Sequence, residues 1–220
     1  MIRSDSPSGR IRRPRNSLTV ESIVDAAEDV AASGIEALTI RAVATELDAS
    51  PMALYRYVAT KEELVDALLN RVLGRFTQPA ETDDWVHDLR AFARAHYALL
   101  VGHAWAIAPL IRHPDPGPNA LPIGEAALRV LSRGGITGDS AVASFSAIVA
   151  LNYGWASFAV ARNDELPPEQ QNAADLEGLR SDFPLTAEVA EAFSRYGSPE
   201  HYERALDHVV TGIATTSGQR

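Results

Sequence analysis

Apolar residues recur three and four positions apart along most of the chain, and nowhere alternate with polar ones over the length of a strand. The pattern predicts an all-α protein of about nine or ten helices. The first runs from about Val20 to Ser33. Val20, Ile23, Val24, Ala27, Val30 and Ala31 form its apolar stripe, and Glu21, Asp25, Glu28 and Asp29 its wet face. Thr19 is its N-cap and Gly34 its stop. Two short helices follow. Thr39 caps the one carrying Ile40, Val43, Ala44 and Leu47, and Asp48-Ala49 turns the chain. Ser50 caps the other, Pro51 occupies its first position, and Leu54 and Val58 make its inward face. A helix that short is not stable alone in water, so its neighbours must hold it.

Thr60-Lys61-Glu62-Glu63 has the form of a capping box, with Thr60 as N-cap and Glu63 at N3. Leu64, Val65, Leu68, Leu69, Val72, Leu73 and Phe76 continue that helix. Its apolar stripe is too wide for one small domain, so it is read as the connection to the rest of the chain. Thr77 to Asp84 is the clearest break, and a domain boundary is expected near it. Asp83 or Asp84 then caps a long helix from Trp85 to about Gly102. A short helix from Trp105 to Ile111 ends at the turn-forming run His113-Pro114-Asp115-Pro116-Gly117-Pro118. Ile123 to Leu131 is amphipathic and closed by Gly134-Gly135. The helix from Asp139 or Ser140 to about Val160 is apolar around most of its circumference, as a helix buried on several sides must be. One subunit of this size rarely supplies so much cover, and a dimer does. Arg162 to Pro184 reads as a long loop. Thr186 to Tyr196, and then Pro199 to about Ala214 capped by Ser198, are the last helices.

Composition narrows the function. The 220 residues include no cysteine, which excludes disulfides, thiolate metal sites and a cysteine nucleophile. No uninterrupted apolar run reaches the roughly 18 residues of a membrane span, and no apolar signal segment opens the chain, so a cytoplasmic protein with no membrane partner is expected. The net charge of −9 argues against a general DNA coat. Its distribution leaves another possibility. Arg3, Arg10, Arg12, Arg13 and Arg15 face only Asp5 within residues 1–17, which reads as a flexible basic arm. In the short-helix region Glu21, Asp25, Glu28, Asp29, Glu36, Glu46 and Asp48 outnumber Arg41, Arg56 and Lys61. DNA binding there would depend on the placement of a few cations. An enzyme is not expected: the six histidines are scattered, and no nucleophile–base motif, metal-ligand spacing or glycine-rich phosphate loop is present.

Gly34, Leu38-Thr39-x-Arg41, Val43-Ala44, Leu47, Ser50-Pro51, Leu54-Tyr55-x-Tyr57 and Lys61-x-x-Leu64 stand in register without a gap between Thr19 and about Phe76. In these residues the chain resembles the TetR family of one-component repressors. The segment beginning at Trp85 is similar to that of the tetracycline repressor branch. The resemblance implies an N-terminal three-helix helix-turn-helix domain over 18–63, behind the arm of 1–17, and a larger C-terminal helical ligand-binding and dimerisation domain over 64–220. It implies that the second short helix enters the DNA major groove while the first braces it across the backbone.

Under that reading Pro51, Met52 and Ala53 offer few hydrogen-bonding groups and suit contact with thymine methyls. Arg41 is the candidate for a guanine contact. Tyr55 and Tyr57 supply hydroxyls to phosphates, Lys61 adds a charge at a helix N-terminus, and Arg56 can reach either base or phosphate. Thr39 and Ser50 complete the DNA-facing set, with their hydroxyls committed first to capping. Phe92, His96, Tyr97, Trp105, Phe145, Asn152, Trp155 and Phe158 lie on helices that would surround an effector cavity, apolar and aromatic with a few polar groups. The histidine and polar positions by which the tetracycline repressor holds its drug–metal complex fall on Phe92 and near Leu110, with His103 and His113 offset. Neither tetracycline nor any metal or cofactor is therefore expected. The function implied is a homodimeric repressor released from a palindromic operator by a small hydrophobic effector. The alternative is an activator, or a regulator with no small-molecule ligand.

Overall fold

The structure, a computed structural model, describes residues 18–112, 117–164 and 181–217. The described elements are helices, with no strand among them. They are α1 (Val20–Ala31), α2 (Ile40–Glu46), α3 (Pro51–Leu54), α4 (Lys61–Leu73), α5 (Trp85–Gly102), α6 (Ile107–Arg112), α7 (Ala120–Arg133), α8 (Gly138–Asp164), α9 (Pro184–Glu188), α10 (Ala190–Ser194) and α11 (Pro199–Ser217). Short 3-10 turns at Ile35–Ala37 and Ala104–Ala106 add to them. The chain divides into two compact units inside α4, Met1–Leu68 and Leu69–Arg220.

The first unit is built on α1. Thr19 Oγ1 accepts from the Ser22 amide and Ser22 Oγ accepts from the Thr19 amide, both at 3.0 Å, so a serine closes this capping box. Ile23, Val24, Ala26, Ala27 and Ala31 are buried, together with Leu38, Ile40, Val43, Ala44, Leu54 and Val58. Val20, the first residue of the helix, is exposed instead of joining the buried stripe. The helix also ends before the expected stop: Ala32 is its C-cap, and Gly34 instead takes φ 119 at the entry to Ile35–Ala37.

In the second unit α5 packs on α7, α8 and α11, and α8 touches α7 and α11 as well. Leu89, Phe92, Ala93, Leu100, Ile123, Ala127, Leu131, Ile148, Ala156, Leu206 and Val210 fill the space between them. Asp84 is the cap of α5, accepting from the Val86 and His87 amides at 2.9 and 3.1 Å. One turn on, the buried Asp88 accepts from the Thr82 amide, the Thr82 hydroxyl at 2.8 Å and Arg133 Nη1 at 2.7 Å. Arg133 also donates to the Thr82 carbonyl. Burial alone would push the Asp88 carboxyl up. The bonds from Thr82 and Arg133 outweigh it and hold the group below its usual range. This clamp fixes the segment before α5 against the end of α7. Next to it a Cβ on Gly134 would lie 2.6 Å from the Trp85 indole, so only glycine allows this approach.

Several boundaries differ from the sequence pattern. The expected helix from Trp105 splits into a 3-10 turn and α6, and α7 begins at Ala120, ahead of its first buried residue. Asp139 lies in the first turn of α8 instead of capping it, and α8 continues to Asp164, into the expected loop. The expected helix Thr186–Tyr196 breaks at Val189 into α9 and α10. The arm of 1–17, residues 113–116 of the proline-rich turn and most of the 162–184 loop lie outside the described residues. The stretch Gly138–Ala159 is long and apolar enough to cross a membrane by length and composition, although polar residues such as Asn152 interrupt it. It packs on α5, α7 and α11 and leaves the rest of its circumference uncovered in the single chain.

Candidate nucleic-acid interface and helical core site

The two short helices are set by their ends. Thr39 Oγ1 accepts from the Ala42 amide at 3.0 Å and opens α2. At its close the Asp48 amide bonds the Thr45 carbonyl and the Ala49 amide the Ala44 carbonyl, with Asp48 at φ 50. That pair of bonds around a left-handed residue is a Schellman closure, and it turns the chain sharply into α3. Ser50 Oγ then accepts from the Ala53 amide at 3.3 Å, with Pro51 in the first turn.

α3 is a single turn. The pattern expects one helix holding both Leu54 and Val58, but the chain leaves it after Leu54, and the Tyr57 and Val58 amides both bond the Leu54 carbonyl at 2.8 and 3.0 Å. Leu54 and Val58 are still buried. With those two as anchors, Met52 is 73 % exposed, Tyr55 48 % and Tyr57 41 %, and Arg56 is exposed beside them. The tyrosines are therefore surface groups with free faces. Pro51 and Ala53 are half-buried, and Arg41 is exposed in the first turn of α2.

The link to α4 is also tied. The Glu63 amide donates to Thr60 Oγ1 at 3.1 Å, but its carboxylate accepts from Ala59 at 2.7 Å, one residue beyond the position a capping box requires. Lys61, half-buried, is the first residue of α4. The unit thus presents Arg41 on α2, Met52 on α3, and Tyr55, Arg56 and Tyr57 on the turn after it, all exposed.

The second unit brings most of the expected cavity residues into one aromatic and polar chain. Asn152 is wholly buried. Its Nδ2 donates to the Ala93 carbonyl at 2.9 Å and to His96 Nδ1 at 3.0 Å, and its Oδ1 accepts from the Tyr202 hydroxyl at 3.0 Å. Both amide hydrogens and the carbonyl are thereby used within the protein, which makes Asn152 a strut between α5, α8 and α11. His96 lies parallel to Phe92 at 6.3 Å and tilted to Tyr153 at 6.0 Å. Tyr97 stacks on Tyr202 at 4.1 Å, and Trp155 contacts both Tyr202 and Phe158. Trp105 and Phe145 are half-buried and enter none of these ring contacts. Tyr202 and Tyr153 are the members the sequence pattern missed. Tyr202 reads there as one more position in the stripe of the last helix, and a buried tyrosine hydroxyl's need for a partner was the available signal.

Burial draws the His96 pKa down to about 4 and pushes Tyr202 above the range in which tyrosine ionises. The core is therefore polar but uncharged at neutral pH. Arg94 grips Glu203 with two nitrogens, and Arg90 meets Asp207 at 2.6 Å, tying α5 to α11 at the surface. Among the described residues no group of three histidine, aspartate or glutamate side chains is placed to hold a metal.

A capped helix-turn-helix showing its short second helix outward, carried by a chain whose larger unit is, among the described residues, helical around an uncharged aromatic core, has the form of a DNA-binding regulator. Residues 23–68 match the family profile described as bacterial regulatory proteins, tetR family, and residues 78–217 match the tetracyclin repressor-like C-terminal domain. The chain belongs to the TetR family of transcriptional regulators. It is 33 % identical over 224 residues to the HTH-type transcriptional repressor DrrR1 of Streptomyces coeruleorubidus, spanning 95 % of this chain and 82 % of that one. To the tetracycline repressor protein class A from transposon 1721 of Escherichia coli it is 27 % identical over 187 residues, 82 % of this chain and 83 % of that one. ActR from Streptomyces coelicolor, solved in complex with actinorhodin, shares the fold: the TM-score is 0.83 at 24 % identity, covering 92 % of this chain and 99 % of that one.

Proposed function

We propose that the protein is a homodimeric repressor which leaves a palindromic operator when a small, uncharged, largely apolar effector enters the core of the Leu69–Arg220 unit. The observation that carries the DNA-binding half is the outward display on α3 and the turn after it. Met52, with Pro51 and Ala53, meets thymine methyls; Arg41 reads a guanine; Tyr55, Arg56, Tyr57 and Lys61 take phosphates. The arm of 1–17 adds five arginines to the DNA-bound state. Repression is the role named for DrrR1, and a bound organic small molecule is what the ActR complex contains. A protein with this task works in the cytoplasm, where the chromosome is.

The dimer rests on α8. Ala143, Ala147, Ala150, Gly154 and Ser157 follow one another at helical spacing and are all exposed in the single subunit. Small side chains allow a second helix to approach closely, and they leave an otherwise apolar helix in need of cover. Pairing through this face about a two-fold axis gives each operator half-site one α3.

The test is fluorescence anisotropy of the purified protein on DNA flanking its own gene, over a salt series, with scrambled DNA as control. Tight binding to a palindrome with a steep salt slope supports the reading. Affinity no better than for scrambled DNA refutes a local operator. A melting screen with uncharged aromatic compounds then searches for the effector, since a ligand of the folded state raises its Tm.

A further inference from the structure

The network around Asn152 fixes more than packing. The Ala93 carbonyl only accepts, so the amide nitrogen of Asn152 must face it, because the oxygen in its place would set two lone pairs against each other at 2.9 Å. The tyrosine hydroxyl donating to Oδ1 agrees with that orientation. The second amide hydrogen then points at His96 Nδ1, 3.0 Å away. Nδ1 therefore accepts and carries no proton. The neutral ring must hold its proton on Nε2.

Among the described residues nothing accepts from that Nε2–H. The contacts of His96 are those with Asn152 and with the rings of Phe92 and Tyr153. The side chain is 3 % exposed. That N–H is a donor with no acceptor from the described residues, and a ligand oxygen placed on it would supply one. Burial keeps the ring uncharged at neutral pH, so it offers an anion no ion pair. The flanking phenylalanine and tyrosine rings favour a flat body.

We infer that His96 is the specificity group of the core site, donating its Nε2–H to a carbonyl-type oxygen on a flat, uncharged aromatic effector. This rests on the reading of that core as the effector site. It assigns His96 as the donor, and Asn152 and Tyr202 as the positioning residues that set its tautomer.

The test compares 9-fluorenone with fluorene, the same tricycle without the oxygen, on the full chain and on H96N. The introduced amide oxygen would stand where Nδ1 stood and keep a partner for Asn152, with no donor left at the Nε2 position. Titration by tryptophan fluorescence reads Kd. The expected result is that H96N weakens fluorenone binding about three- to tenfold and leaves fluorene unchanged. If both bind and H96N treats them alike, the assignment to His96 is overturned while the core site stands. If neither tricycle binds the native chain, the core-site reading falls and the assignment with it. Two readouts on the native protein decide the matter even where H96N does not fold. Nitrogen-15 NMR of labelled histidine must show Nε2 protonated in the unliganded chain, and the infrared carbonyl stretch of bound fluorenone must shift to lower frequency. A proton on Nδ1, or an unshifted carbonyl, overturns the inference.

Discussion

His96 couples the core to pH. Its folded pKa of about 4 lies below the roughly 6.5 of an unfolded histidine, so below pH 6.5 the unfolded chain takes up a proton that the folded one refuses. The contribution is therefore whole above pH 6.5 and is lost as pH falls toward 4, by on the order of 3 kcal/mol. Urea unfolding at pH 7 and pH 4.5 is expected to show that loss in the native protein and a clearly smaller one in H96N. At the DNA face, R41A should weaken operator binding by about 1–3 kcal/mol and relax the preference at one base pair, while K61A weakens all sequences alike; competition anisotropy with single-base operator variants separates the two. The outward residues were legible in the sequence, because inward Leu54 and Val58 leave Met52, Tyr55, Arg56 and Tyr57 nowhere else to point. His96 and Asn152 were legible as polar residues on apolar faces. Their partner Tyr202 was not, since local periodicity says nothing about which distant residue completes a hydrogen bond.

Helix ends are where the sequence and the structure part. Thr19, Thr39, Ser50 and Asp84 cap as their residue types dictate. The Glu63 reach to Ala59 and the break at Val189 depend on neighbouring turns that no cap rule contains. Two glycines of the α7 region make a matched pair for testing the packing argument. In G134A the new methyl group must displace the Trp85 ring, at an expected cost of about 1–3 kcal/mol. In G124A it meets nothing within 4 Å inside a helix, and stability should rise by up to about 1 kcal/mol. Denaturant melts of the two variants decide this, and equal effects would mean that the Trp85 contact is not maintained in solution. Asp48 is a similar case in a turn: D48G should be tolerated and D48V should cost about 1–2 kcal/mol, because φ 50 crowds a β-branched side chain.

At the scale of the whole molecule, the apolarity of α8 around most of its circumference is what the expectation of a dimer rests on. It could not announce which side the chain leaves bare, because a helix apolar all round has no period to read. The structure resolves this into the stripe of small residues from Ala143 to Ser157. A charge placed there, as in A147R, should yield monomers by light scattering and reduce operator affinity by roughly tenfold or more, with the helical content retained. A dimer that survives A147R would move the interface elsewhere.

Lys61 is the only lysine among 220 residues, and it opens α4 directly after the turn proposed to face DNA. Apart from the terminal α-amine, amine-directed chemistry therefore has one side chain on which to act. An environment-sensitive fluorophore attached as an active ester would report from a single position per subunit, with no engineered cysteine. Protection of that amine by DNA would footprint the interface in one step.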